Sequence, residues 1–445
     1  MQKKYHIEVW GCQMNVADAA AAARQLEAMG YTEVPDPADA DVVLLETCCV
    51  REKPEHKVYS RLGELRPFKA AKPDMILGVC GCMAQKEGKE IFRRAPYVDI
   101  IVGPRRLNRL PELIHNFLTT GKRQLDQEID ENPDEIKEVD YSRITRLGEI
   151  KAFVNIIEGC NYHCAYCIVP FVRGKFTSRT PQSVTEEIKK LVDAGIREVT
   201  LLGQSVLAYG RDADREFDIV TLFEMIHEIP DLKRIRFTTN HPLEITDRII
   251  DAVAYMPKVM EHFHMPIQAG DDELLRMMKR GYTVARYEES LAKIRAQIKG
   301  VSVTSDTIVG FPGETDEMYE KSLDTYRRLK LDQQFMFVYS SRPGTPAAKM
   351  ENQIDNKVKV ARMNKLVEVQ NNISMEINQA QVGKVVSVMV ENETGRVENQ
   401  YTGKARNDKS VVFTATNNKI YTPGDMTDVK ITKGHLWGFE GEVSE

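Results

Sequence analysis

No cysteine follows Cys167 in this chain of 445 residues, although eight occur up to that point. Eight cysteines in a chain of this size that reads as cytosolic point to metal or redox chemistry and not to a disulfide framework. No apolar run approaches the roughly 20 residues of a membrane helix. The opening Met1-Gln2-Lys3-Lys4-Tyr5-His6-Ile7-Glu8 has no apolar stretch of the secretory kind. A cytoplasmic protein without membrane contact is expected. An excess of positive charge is missing too, since the net charge is -5. A globally basic nucleic-acid binder is thereby excluded, and any RNA contact must come from local patches or shape. Hydrophobic content of 42% and charged content of 29% are ordinary for a globular protein, and the length predicts two to four domains.

The chain shows a repeated strand and helix rhythm. Tyr5 to Val9, Val42 to Leu45, Met75 to Val79 and Ile100 to Val102 read as strands, and Ala17 to Met29, closed by Gly30, reads as a helix. This predicts a doubly wound parallel sheet over residues 1–125. The first three strands run into Cys12, Cys48-Cys49 and Cys80-Gly81-Cys82. Loops at the carboxyl ends of parallel strands share one crevice, so these cysteines should meet and form a metal site, although one or two of the five can simply pack. Residues 126–149 are acidic and read as a linker. From 150 to 375 the rhythm resumes with six strands, at Phe153 to Ile157, Glu198 to Leu202, Arg234 to Phe237, Glu261 to Ile267, Val301 to Val309 and Gln333 to Tyr339. That suits a partial α/β barrel with ligands at its carboxyl ends. A connecting helix at Asn356 to Gln379 leads to short alternating strands within residues 376–445, which fit a five-stranded OB-like barrel.

Cys160-x-x-x-Cys164-x-x-Cys167 directly follows the first central strand. Three thiolates hold three corners of a 4Fe-4S cubane and leave one iron open. An open iron can chelate S-adenosylmethionine, and one electron then breaks a carbon-sulfur bond to give an adenosyl radical. Cys160, Cys164 and Cys167 are accordingly the expected catalytic metal ligands. The competing reading is a structural zinc site that adds His163, a weaker fit because His163 adjoins Cys164 and such sites favour paired C-x-x-C arms.

Tyr166 lies between two ligands, to pack beside the adenosyl group or to shield the cluster. Gln204 ends a strand where it can bond the methionine end of the cofactor. Asp306 through Gly310 end another, and the glycines there allow a flat ligand to approach the backbone. Of three histidines near strand ends, His264 is the pocket candidate. Arg173 faces either an anionic substrate or solvent. Arg105, Arg106, Arg109, Lys279 and Arg280 are candidate phosphate contacts. In the last barrel Tyr401, Phe413, Tyr421, Trp437 and Phe439 are candidates to stack on RNA bases, set against the barrel's own need for a core. From residue 378 onward eight Lys or Arg stand against nine Asp or Glu, so this module has no electrostatic commitment to RNA.

Gly11-Cys12-Gln13-Met14-Asn15, Thr47-Cys48-Cys49-Val50-Arg51-Glu52, Gly81-Cys82-Met83-Ala84-Gln85, Gly159-Cys160 through Arg173-Gly174, and Ile308-Val309-Gly310-Phe311-Pro312-Gly313-Glu314 occur in one order along nearly the whole chain. Together they resemble the radical S-adenosylmethionine methylthiotransferases, and within them the MiaB-type tRNA-2-methylthio-isopentenyladenosine synthases. The resemblance implies two 4Fe-4S clusters, an auxiliary one on Cys12, Cys48 and Cys82 with Cys49 and Cys80 as bystanders, and a radical-generating one on Cys160, Cys164 and Cys167. It implies a radical SAM core, a C-terminal TRAM domain that binds RNA, and methylthiolation at C2 of an isopentenyl-modified adenosine beside the tRNA anticodon. S-adenosylmethionine serves there as methyl donor and as radical source. The family usually has Gly-Gln-Asn-Val, Thr-Ser-His-Pro and Gln-Ser-Gly where this chain has Gly203-Gln204-Ser205-Val206, Thr239-Asn240-His241-Pro242 and Gln268-Ala269-Gly270. Asn240 and Gln268 are therefore counted with the expected cofactor contacts.

A monomer served by an electron-donor protein is expected. The rival substrates are threonylcarbamoyl-adenosine of tRNA and an aspartate of a ribosomal protein. A rival of another class is a non-catalytic RNA-binding protein with structural zinc.

Overall fold

The computed structural model describes residues 2–49, 52–129, 149–212, 217–394, 397–416 and 419–444, with the backbone alone for 52–56. Most of the acidic segment expected as a linker lies outside the described residues.

The N-terminal unit is one parallel sheet in the order β2-β1-β3-β4-β5-β6, built from β1 (Lys4–Trp10), β2 (Thr32–Glu33), β3 (Val42–Thr47), β4 (Ile76–Gly81), β5 (Ile100–Val102) and β6 (Gln124–Asp126). Its helices are α1 (Gln13–Ala28), α2 (Glu52–Ala71), α3 (Cys82–Glu87), α4 (Lys89–Arg94) and α5 (Leu110–Thr120). β3 and β4 are buried along their whole length, as strands covered on both faces must be. The sheet ends on β6, where Asp126 accepts from Arg106 and Arg109.

The central unit carries β7 (Lys151–Asn155), a short antiparallel pair β8 (Ile157–Glu158) and β9 (Thr177–Ser178), then β10 (Glu198–Leu202), β11 (Arg234–Phe237), β12 (His262–His264), β13 (Ser302–Val309) and β14 (Gln333–Val338). Two parallel three-stranded sheets, β11-β10-β7 and β12-β13-β14, abut through a bridge from Ile235 to Val259. The result is a curved, open barrel of six strands. Its helices are α6 (Val169–Arg173), α7 (Pro181–Asp193), α8 (Ile219–His227), α9 (Asp247–Tyr255), α10 (Asp272–Met277), α11 (Val284–Gln297), α12 (Asp316–Leu329) and α13 (Asn356–Gln379). From α7 to α13 each opens on a Thr or Asp whose side chain accepts a backbone N–H, the usual way to satisfy an exposed first turn. At α1 and α3 the cap positions are instead Cys12 and Gly81.

The C-terminal unit is a closed barrel in the order β15-β16-β17-β19-β18, made of β15 (Val385–Glu393), β16 (Gln400–Ala405), β17 (Ser410–Thr414), β18 (Met426–His435) and β19 (Gly438–Val443). Its β16–β17 turn docks on the amino ends of the central strands. Arg234 donates to the Lys404 and Ser387 carbonyls, Arg236 to those of Ala405 and Arg406, and Ser302 to that of Asn407, while Arg406 pairs with Glu261. The TRAM-type barrel thus sits at the end of the central barrel away from the cysteines.

Candidate active site

β7 delivers the chain into the three-cysteine loop through Gly159, whose φ of 74° and lack of a Cβ are both required. A Cβ there would lie 1.9 Å from the Lys175 carbonyl oxygen. The loop is pinned by backbone hydrogen bonds from Cys160 N to Gly174 O (3.0 Å), Ala165 N to Met278 O (2.9 Å) and Ala347 N to Ala165 O (2.8 Å). Burial pushes the thiols of Cys160 and Cys167 up to about 12, which suits groups that give up a proton only to a metal. Arg280 is itself buried and donates to Cys164 Sγ at 3.1 Å, to the Pro266 carbonyl and to the Tyr282 hydroxyl. Tyr162 stacks on His241 with ring centroids 3.8 Å apart. Burial and the nearby Arg280 hold His241 neutral, down to about 2. His163 is exposed, and among the described residues no three His, Cys, Asp or Glu side chains lie close enough together to hold a single metal ion.

The carboxyl ends of the neighbouring strands bring together much of the expected cofactor pocket. Asn240 donates to the His264 carbonyl at 3.2 Å, and His264 bonds Thr304 Oγ1 at 3.0 Å and lies 3.4 Å from Asp306. Gln268 N donates to the Asp306 carbonyl. Thr239 and Gln268 are non-glycine residues at φ 57° and 70°, conformations that cluster where backbone strain serves a site. Gln204 Oε1, Thr238 Oγ1, Asn240 Oδ1, His241 Nε2 and Gln268 Oε1 are buried and have no protein partner. Each such group costs about 1–3 kcal/mol if left dry. Five past the carboxyl ends of β10, β11 and β12 fit a polar ligand such as the amino-acid and ribose parts of S-adenosylmethionine. The amide of Gln204 points the other way, donating to Met14 Sδ of the N-terminal unit at 2.5 Å. Tyr166 packs half-buried against the central core.

Gly310 is explained differently from the expectation of a flat ligand. Lys359 of α13 is what approaches it, with Cγ 2.4 Å from where a Cβ would stand. Several surface expectations also give way. Arg280 is buried on Cys164; Arg105 is spent on the carbonyls of Arg173 and Lys175, and Arg106 and Arg109 on Asp126. Tyr401, Phe413, Tyr421 and Phe439 form the core of the last barrel, and of the five aromatics only Trp437, 65% exposed, remains open to a base.

The second cysteine group assembles at the carboxyl ends of β1, β3 and β4. Cys12 lies at the start of α1, where its N–H and Sγ both reach Asn15 Oδ1. The hydrogen bond from Cys48 lowers the Cys12 thiol to about 5, helped by the charge of Arg173. The Cys82 thiol is lowered to about 7 by the hydrogen bond from Cys49, again with Arg173. Cys49 stays well above the usual thiol range through that same hydrogen bond and through burial, and Cys80 through burial. Cys80 faces the opposite core, among Leu26, Val42 and Ile100.

Three residues that sequence reasoning passed over complete this site. Asn15 donates to Glu46 at 2.8 Å, and Asp18 accepts from Arg173 at 2.5 Å and from Asn155 at 3.2 Å. Asn15 stood in the Gly11–Asn15 motif without a role of its own, while Asp18 and Glu46 were marked only by position, in α1 and at the end of β3. Arg173, buried and so not a solvent-facing residue, comes from the loop of the first site and donates to Cys82 Sγ at 3.3 Å. α6 joins the two groups: Ile168 and Val172 pack in the N-terminal core beside Cys49 and Cys82.

Comparison with known proteins agrees with this division. Residues 154–326 match the radical SAM superfamily, and residues 4–103 match a family described as uncharacterized protein family UPF0004. Among solved structures, the radical S-adenosylmethionine methyltransferase TsrM of Kitasatospora setae aligns with a TM-score of 0.56 at 15% identity, over 78% of this chain and 77% of that one. The cobalamin-dependent radical enzyme OxsB aligns with a TM-score of 0.56 at 11% identity, over 84% and 57%. Both show the fold alone. Curated relatives named tRNA-2-methylthio-N(6)-dimethylallyladenosine synthase are 44% identical in Desulforamulus reducens, over 99% of this chain and 95% of the relative, and 41% identical in Carboxydothermus hydrogenoformans, over 99% of both. With a radical SAM core and full-length likeness at that level, the chain belongs to the tRNA-2-methylthio-N(6)-dimethylallyladenosine synthase family of radical SAM methylthiotransferases.

Proposed function

We propose that this chain adds a methylthio group at C2 of isopentenyl-modified (N6-dimethylallyl) adenosine next to the tRNA anticodon. In this reading Cys160, Cys164 and Cys167 hold the radical-generating 4Fe-4S cluster, and Cys12, Cys48 and Cys82 hold a second one. The observation that carries it is that Arg173, six positions after Cys167 in the loop of the first cysteine group, donates to Cys82 Sγ of the second, so that the two groups, contributed by two domains, are joined by one short segment. When bound, S-adenosylmethionine and the clusters supply the one-electron chemistry and the methyl group that an unactivated C–H bond requires.

The residues of the chain bind, orient and shield. Asn240, Gln268 and Gln204 offer buried, unpartnered oxygens to the polar parts of the cofactor. Tyr166 covers the cluster loop, and Arg280 holds Cys164 in place. His264, aligned by Thr304 and Asp306, borders the same pocket. Trp437 on the C-terminal barrel offers a stacking face for tRNA. The reading includes a cytoplasmic, monomeric enzyme served by an electron-donor protein.

The test is anaerobic reconstitution followed by iron and sulfide analysis, with mass spectrometry of tRNA nucleosides after incubation with S-adenosylmethionine and reductant. About eight irons and eight sulfides per chain are expected, together with 2-methylthio-N6-isopentenyladenosine. Stoichiometric zinc without sulfide would reject the enzyme. Product formed only on threonylcarbamoyl-adenosine, or on a ribosomal protein, would reject the substrate.

A further inference from the structure

Arg173 leaves the radical-cluster loop, crosses the domain boundary and ends among the other cysteines, only 2% exposed. Its three nitrogens have different fates. Nε donates to Cys82 Sγ at 3.3 Å, Nη2 donates to Asp18 at 2.5 Å, and Nη1 is buried without a protein partner. Its backbone is held from the N-terminal side as well, since Arg105 donates to the Arg173 carbonyl at 2.9 Å. Burying a guanidinium costs several kcal/mol unless its hydrogen bonds are met, and here one carboxylate and one sulfur meet only part of them. The arrangement therefore has room for one more anionic acceptor beside Cys82. Hydrogen bonds to the sulfurs and the local charge are what set the potential of an iron-sulfur cluster, because reduction adds negative charge that a cation stabilises.

We propose that Arg173 is a positioning residue for the second cluster: it hydrogen-bonds the Cys82 sulfur, offers Nη1 to a cluster-bound sulfur and holds the cluster's reduction potential up. This rests on the reading of Cys12, Cys48 and Cys82 as cluster ligands. Asp18 acts in opposition, orienting the guanidinium while offsetting part of its charge. A domain strut made of the same ion pair would behave differently. Loss of either partner of a strut loosens the same contact, so both losses push the cluster the same way. A tuning pair pushes it in opposite directions.

The test uses the full chain carrying Cys160→Ala, Cys164→Ala and Cys167→Ala, so that only the second cluster can load, and follows its midpoint potential by EPR-monitored redox titration. The expected parent holds about four irons per chain. Arg173→Gln moves the midpoint to more negative values, Arg173→Lys lies between Gln and parent, and Asp18→Asn moves it to more positive values. If Arg173→Gln fails to hold a cluster, the opposite displacement of the Lys and Asn variants still decides. Shifts of one sign in all variants, or an unmoved potential in loaded proteins, overturn the proposal alone. A parent that takes up no cluster overturns the ligand reading, and this proposal with it.

Discussion

The two cysteine groups are built by opposite strategies. Cys160, Cys164 and Cys167 share one loop of eight residues, held by its own backbone bonds and by neighbouring turns. Cys12, Cys48 and Cys82 come from three strand ends up to 70 positions apart, and meet only because β1, β3 and β4 lie side by side. Their electrostatics differ as well. Burial drives Cys160 and Cys167 up to about 12, whereas Cys12 and Cys82 are lowered to about 5 and about 7 by neighbouring thiols and Arg173. Each group has a buried arginine on one sulfur, Arg280 on Cys164 from the same domain and Arg173 on Cys82 from the other domain. At the second group neighbouring thiols donate as well, and there Cys12 and Cys82 are lowered.

The largest expected effect would separate the sites completely. Cys164→Ala abolishes reductive cleavage of S-adenosylmethionine, read as 5′-deoxyadenosine below detection, while iron falls only from about eight to about four per chain. Retained cleavage would break the assignment. Next comes a pair within the second group. Cys82→Ala loses that cluster, read as a halved iron content, whereas Cys80→Ala keeps full iron and costs about 1 kcal/mol in a denaturation experiment, as a small packed hydrophobe should.

A graded effect follows from the thiols. Those raised to about 12 are protonated at pH 7 and must release a proton to bind iron, so affinity at the first site rises with pH, roughly tenfold per unit for each such thiol. Cys12 is already a thiolate at pH 7 and Cys82 is partly so, which makes uptake at the second site flatter between pH 7 and 9. Iron uptake by two complementary triple-alanine proteins measures the contrast, and equal slopes would contradict it. The smallest effect on either site belongs to Arg236→Ala. It frees the Ala405 and Arg406 carbonyls at the other end of the barrel, costs about 2 kcal/mol of stability and leaves iron at both sites unchanged.

Much of this was legible in the chain. The six central strands, α13 and the small last barrel follow from alternation, turn residues and helical period, because those signals are local. β2 and β6 escaped notice, being two and three residues long at the sheet edges. The β8–β9 pair was missed for the same reason. Charge was the least legible property. Arg280 and Arg173 have nothing in their own neighbourhood to distinguish them from Arg106 or Lys279, yet two are buried against cysteine sulfur and one is taken by Asp126. Gly310 likewise carries a backbone requirement that only Lys359, 49 positions away, explains.

From the sequence alone come the three-thiol loop, the strand that feeds it, and the rhythm that puts a cysteine after each of the first three strands. These depend on spacing along a chain of known reach, which any reader can measure. The tertiary structure decided which cysteines face one another, which arginines lose their water, and which end of the barrel the last domain covers. Those outcomes depend on burial, and burial is set by residues that sequence distance keeps apart and folding brings together.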